Sequence, residues 1–141
     1  MRLRESIFIA AAPEEVAGIY QDYRRWPSIF PTIHGTRLVS SAGGEVVIDV
    51  DHDEGHVRNT LRAVSPTRLL LSEDKHTYQA TFDNLFEPAD GGTRFTVVGD
   101  IRLRGLRRLL APLFRGRSRQ LMRRYQLEPM KTAAESAEQS A

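Results

Sequence analysis

Between Ile33 and Leu103 the chain keeps a period of two, and from Gly105 to about Glu128 it switches to one basic segment with a helical period. Strands that alternate apolar and polar residues leave one face of their sheet to be buried. That face needs a cover, and the sequence offers little besides the one long C-terminal helix. A single helix does not fill the concave side of a long curved sheet. A cavity is therefore the expected by-product, and an enclosed apolar guest the expected use.

The turns divide the alternating region. Segment 33–40 runs into the cluster Ser40-Ser41-Ala42-Gly43-Gly44. In the next, Val46, Ile48 and Val50 share a face, and Asp53-Glu54-Gly55 closes a hairpin. Val57, Asn59, Leu61 and Ala63 then share the inner side, with His56, Arg58, Thr60 and Arg62 outside. Ser65-Pro66-Thr67 leads to Arg68–Ser72; Glu73 either faces inward near the end of that strand or, the preferred reading, belongs to a turn Glu73-Asp74-Lys75. Tyr78, Ala80, Phe82, Asn84 and Phe86 point inward, as do Phe95, Val97, Gly99, Ile101 and Leu103 after the loop Pro88–Gly92.

Upstream, Arg4–Ile9 alternates as a first strand, and Ala12–Val16 starts a helix with proline and acids in its first turn. That helix ends near Tyr23, because Trp26-Pro27 disfavours helical angles at the tryptophan; Ser28–Phe30 adds a turn. In the C-terminal segment Leu106, Leu109, Leu110, Leu113, Phe114, Leu121 and Tyr125 make an apolar stripe. Pro112 kinks or divides it. The boundaries predict one domain over 1–130 and a flexible tail over 131–141.

Cysteine is absent, which excludes disulfides, thiolate metal sites and cysteine nucleophiles and suits a reducing cytoplasm. The apolar stretch Ile7–Ala12 is too short for a signal-peptide core, so a soluble, cytoplasmic chain is expected. Net charge is only +2, yet Ile101–Leu127 holds nine arginines and no acid. Such a block suits an anionic membrane, an acidic protein or a nucleic acid, or is a solvated helix face. Its aromatics, Phe114 and Tyr125, fall on the apolar stripe, so base stacking is poorly served and nucleic acid is disfavoured.

Catalytic motifs are sparse. Asp49–Thr60 imitates a calcium loop, but its glycine is one place late and its twelfth position is threonine. His52, Asp53 and His56 read as a solvated hairpin rather than a zinc site, so no metal is expected. No G-x-S-x-G elbow or glycine-rich phosphate loop occurs. Asn59 on an apolar face needs a hydrogen bond, which a neighbouring backbone, a buried water or a ligand could supply. Tyr78 and Tyr125 could each donate from a phenol, and Arg117 beside the stripe could reach an acidic head group or snorkel to water.

The element order, with Ile9–Val16, Asp22-Tyr23-Arg24-Arg25-Trp26-Pro27, Phe86-Glu87-Pro88 and Gly91–Phe95, resembles the START-like, Bet v 1-like (SRPBCC) superfamily, particularly its polyketide cyclase and coenzyme-Q-binding branches. The resemblance spans about residues 3–130 and implies an α+β helix-grip fold. In it a curved antiparallel sheet wraps a long C-terminal helix, with two short helices after the first strand. It also implies a cavity for an apolar small molecule such as a polyketide, lipid or quinone, and no cofactor. The inner-face residues Val57, Asn59, Leu61, Tyr78, Phe82, Asn84, Phe95, Val97, Leu113, Leu121 and Tyr125 become cavity-wall candidates. Trp26 and Phe30 belong near the mouth, with Arg117 as a further ligand contact. If the chain is an enzyme, cyclase or aromatase chemistry is implied, with Asn59 and Tyr78 as catalytic candidates. Similar cyclases carry tryptophans and a serine on the strand that here reads Val57, Asn59, Leu61. This chain keeps a polar group at Asn59 and Gln126 but lacks those residues. Alternatives are a lipid or quinone carrier at anionic membranes, a partner of an acidic carrier protein, and a ribosome- or RNA-directed binder. The expected state is monomer or homodimer.

Overall fold

A computed structural model describes residues 1–140. Seven strands, β1 (Arg2–Ile9), β2 (Ile33–Ala42), β3 (Glu45–His52), β4 (Gly55–Ser65), β5 (Arg68–Lys75), β6 (Tyr78–Ala89) and β7 (Gly92–Leu103), form one antiparallel sheet. Its order is β1-β7-β6-β5-β4-β3-β2. From β2 onward each strand follows its neighbour through a two-residue turn. Gly43-Gly44 and Asp90-Gly91 have positive φ at both positions, the geometry that matches strand twist in tight hairpins. The first turn is narrower than the expected cluster: Ser40–Ala42 stay in β2 behind an irregularity between Leu38 and Ser40.

Alternation sets the faces as expected. Val57, Asn59 and Leu61 on β4, Phe82, Asn84 and Phe86 on β6, and Phe95 and Val97 on β7 are all buried. Helix α1 (Pro13–Gln21) begins with its proline, and a 3-10 turn, Tyr23–Arg25, joins it to the single turn α2 (Trp26–Ile29). Trp26 takes helical angles although Pro27 follows it. Its indole N–H donates to Tyr20 O at 2.7 Å and its ring is buried, which offsets the local strain. Tyr20, Trp26, Phe30, Phe86 and Phe95 form one aromatic cluster, in which Phe86 and Phe95 stack at 4.7 Å across β6 and β7.

The C-terminal segment is not one continuous helix. A 3-10 turn (Gly105–Leu110) opens it, α3 (Ala111–Met122) follows with Pro112 in its first turn, and a wide π turn (Arg123–Leu127) leads into α4 (Glu128–Ser140). The expected flexible tail is helical through Ser140, and Ala141 lies outside the described residues. A polar composition concealed two anchors. Met130 and Ala134 are buried, the small alanine letting α4 approach α1. Lys131 Nζ donates to Phe8 O at 2.8 Å, while Glu135 accepts from Ala10 N–H at 2.9 Å and pairs with Lys131.

The apolar stripe also departs from expectation. Leu106, Leu109, Leu110, Leu113 and Phe114 are exposed. The buried row is instead Met122, Leu127, Met130 and Ala134, stepped by the five residues of the π turn. The 3-10 turn Gly105–Leu110 touches chiefly the end of β7 and the start of α3, and the leucines of 105–113 are left uncovered.

Candidate functional site

The inner sheet face and the C-terminal segment enclose a cavity of about 450 Å³. Its floor is mainly apolar: Val50 on β3, Val57 on β4, Leu71 on β5, Phe82 on β6 and Ile101 on β7. Arg117, Ser118, Leu121 and Met122 from α3, with Tyr125 and Gln126 of the π turn, form the roof. Tyr20, Trp26, Phe30 and Thr32 close one end, and His52, Asp53 and Glu54 stand at the β3–β4 hairpin. There Asp53 pairs with His34 of β2.

Of the residues expected in the wall, Trp26, Phe30, Val57, Asn59, Phe82, Arg117, Leu121 and Tyr125 line the cavity. Leu61, Asn84, Phe95 and Val97 are buried on the same face but are not among its lining residues. Asn84 has a structural task, since its Nδ2 donates to Leu69 O and Phe82 O, both at 3.2 Å. Leu113 is the clear departure: it is exposed, because α3 overhangs the sheet there. Tyr78 is half-buried and is not among the cavity-lining residues; it is linked to the cavity only through the hydrogen bond of its hydroxyl to Glu73.

That hydroxyl donates to Glu73 Oε2 at 2.9 Å. Glu73 belongs to β5 rather than to a turn, opposite Asn59 of β4, and lines the cavity. The signal was present in the sequence: Leu69, Leu71 and Glu73 are in phase, and Leu69 and Leu71 face inward. Burial pushes the Glu73 carboxyl above the ordinary glutamate value. The Tyr78 hydrogen bond works against that shift, the Glu54 charge adds to it, and Lys75 opposes it. Tyr78 is raised in turn, first by desolvation and then by the Glu73 charge. Burial also lowers His52 below the usual imidazole value, and the nearby carboxylates of Glu54 and Asp53 counter this. Among the described residues, Asn59 Oδ1 and His52 Nδ1 are buried with no hydrogen-bond partner. A buried polar atom of this kind calls for an explanation, and two of the three such atoms belong to cavity-lining residues.

The arrangement can hold an elongated apolar body and address one polar group on it. Asn59, Glu73 and Tyr78 offer an amide, a carboxyl with a raised pKa and a phenol on neighbouring strands. Arg117 adds a cation from the roof.

A family model described as "Polyketide cyclase / dehydrase and lipid transport" matches residues 1–135. No curated protein matches the chain. Several solved structures share its fold. Zhui aromatase/cyclase from Streptomyces sp. R1128 superposes with a TM-score of 0.76 at 14% identity, covering 96% of this chain and 93% of that one. A START superfamily protein from Mycobacterium smegmatis gives 0.70 at 13% identity, with 96% and 98% covered. The di-domain ARO/CYC StfQ of the steffimycin biosynthetic pathway gives 0.74 at 14% identity over 96% of this chain, which spans only 51% of that protein.

Proposed function

The chain belongs to the polyketide cyclase / dehydrase and lipid transport family, and we propose that it binds a polyketide-like hydrophobic molecule in the cavity between sheet and C-terminal segment. The observation that carries this reading is the cavity itself. Its 450 Å³ lies within the usual span of small-molecule sites, about 300–1,000 Å³. The few polar groups on its floor gather where Asn59 faces Glu73.

That cluster suits ring closure of a poly-ketone. Ionised Glu73 takes a proton from a carbon flanked by carbonyls, and Asn59 holds the carbonyl oxygen that becomes the enolate. The enolate carbon bonds to a second carbonyl carbon. The new alkoxide recovers the proton from Glu73. Atoms balance without an external reagent. Tyr78 keeps the carboxyl oriented, and the cavity walls press the flexible chain into a reactive fold.

Native mass spectrometry of protein purified without detergent, followed by denaturing extraction, tests the binding. A co-purifying polyketide, lipid or quinone is the expected result. Protein that stays bare and shows no thermal shift with a panel of apolar ligands overturns it. Turnover of a linear poly-ketone should vanish in Asn59→Ala and Tyr78→Ala with the fold intact; unchanged turnover removes those roles. A ligand held without any turnover would leave a carrier.

A further inference from the structure

The overhanging stretch 105–114 carries side chains that nothing in the domain covers. Leu106, Leu109 and Leu113 are 83%, 71% and 79% exposed, and Leu110 and Phe114 are also exposed. Five large apolar residues clustered on one short stretch form a patch of the kind that marks an interaction site. Arg107, Arg108, Arg115 and Arg117 lie among them, and none of the four has an ion-pair partner among the described residues. By contrast, Arg104 is held by Asp74, and Arg119 and Arg123 by Glu5. Four unpaired arginines therefore lie between or just beyond the bare leucines, although Arg102 and Arg124 of the same basic block are unpaired too.

We propose that residues 105–117 form a docking surface for an anionic lipid bilayer. The leucines and Phe114 enter the interface and the free arginines meet the lipid phosphates, as amphipathic segments do at membranes. Charge decides between the possible occupants. A second copy docking symmetrically by the same face would bring two acid-free arginine clusters together and repel. Side chains this exposed stand proud of the surface rather than lining a groove for a partner's side chains, which suits a fluid interface. No helix among the described residues is long and apolar enough to cross a membrane, so the contact is peripheral. Arg117 and Leu121 line the cavity on the same helical row as Leu113, one and two turns on. Docking thus turns the roof of the cavity toward the bilayer. A role in loading an apolar ligand from the bilayer would rest on the cavity reading; the docking does not.

Flotation of the full chain with vesicles tests it. Phosphatidylcholine alone is compared with phosphatidylcholine carrying roughly one-third phosphatidylglycerol. Binding only to the anionic vesicles, weakened by high salt, is expected. Arg107→Ser with Arg108→Ser should lower the partition on the order of tenfold. Leu109→Ser with Leu113→Ser should lower it by a similar factor. Circular dichroism and thermal unfolding of both variants should be unchanged, since these residues support nothing. Equal binding to neutral vesicles, no binding to either, or variants indistinguishable from wild type overturns the proposal. So does a dimer by sedimentation velocity, without lipid, that Leu109→Ser with Leu113→Ser dissolves; the face would then belong to a second copy. Vesicle binding by a chain that takes up no apolar ligand would keep the docking and remove the loading role.

Discussion

Replacing Glu73 by glutamine isolates the one carboxyl that the fold takes into the cavity. Glutamine keeps the shape and still accepts from the Tyr78 hydroxyl, but it never ionises. The folded protein holds the Glu73 proton above the ordinary value of 4.5, because burial disfavours the charge. Between the unfolded and the folded value, the native state keeps a proton that the unfolded chain has released. Stability from this site is therefore full below the unfolded value and is lost as pH rises through the folded one. The loss is about 1.4 kcal/mol per pH unit inside that window, whatever its width. At this chain length 1 kcal/mol moves the melting temperature by about 3–4 °C. The melting temperature of Glu73→Gln minus that of wild type should thus climb by about 5 °C per pH unit above pH 4.5 and then level off. The charged groups around the site are the same in both proteins, so most of their effect cancels in the difference. Scanning calorimetry or fluorescence melts across the acid-to-neutral range supply the curves. A difference that stays constant with pH, or shrinks as pH rises, refutes the desolvated carboxyl and with it the proton-transfer role.

Other outcomes follow from packing. Phe95 is wholly buried and stacks on Phe86, so Phe95→Ala should cost about 3–5 kcal/mol in urea unfolding; an unmoved midpoint would mean that the aromatic cluster is not the core. At Gly92 an added Cβ would sit 2.5 Å from Ile9 O and 2.8 Å from Phe8 Cζ. Gly92→Ala should therefore destabilise by about 1–3 kcal/mol through separation of β1 from β7, and wild-type stability would contradict the close approach.

Much of this architecture was legible because the strands alternate cleanly. Once Val57, Asn59 and Leu61 are assigned inward, the faces of β6 and β7 follow from the same rule, and the helix-grip order follows from the sequence of elements. Glu73 was harder to place. The run Glu73-Asp74-Lys75 looks like a turn in composition, and only the phase set by Leu69 and Leu71 places its first residue inside. The C-terminal segment misled for a different reason. Periodicity shows that Leu106, Leu109 and Leu113 share a face, but not whether the sheet is long enough to reach them. Nor does it reveal the π turn, which moves the buried row, or the bonds of Lys131 to Phe8 and of Glu135 to Ala10 that hold α4 down.

The π turn at Arg123–Leu127 has a consequence for how such a protein can change. Before it, Arg117, Leu121 and Met122 face the cavity; from its last residue onward, Leu127, Met130 and Ala134 face the core. Recognition and anchorage therefore share an axis and meet at one side chain, Met122, which lines the cavity and starts the buried row. Substitutions in α3 can reshape what the cavity admits while the attachment of α4 stays untouched. Deleting one residue within 123–127 would turn the spacing of Met122, Leu127, Met130 and Ala134 into the i, i+4, i+7, i+11 of a regular helix, keeping the core row while removing the wide turn that brings Tyr125 and Gln126 to the cavity. The irregular turn lets one half of the helix vary while the other half keeps the fold.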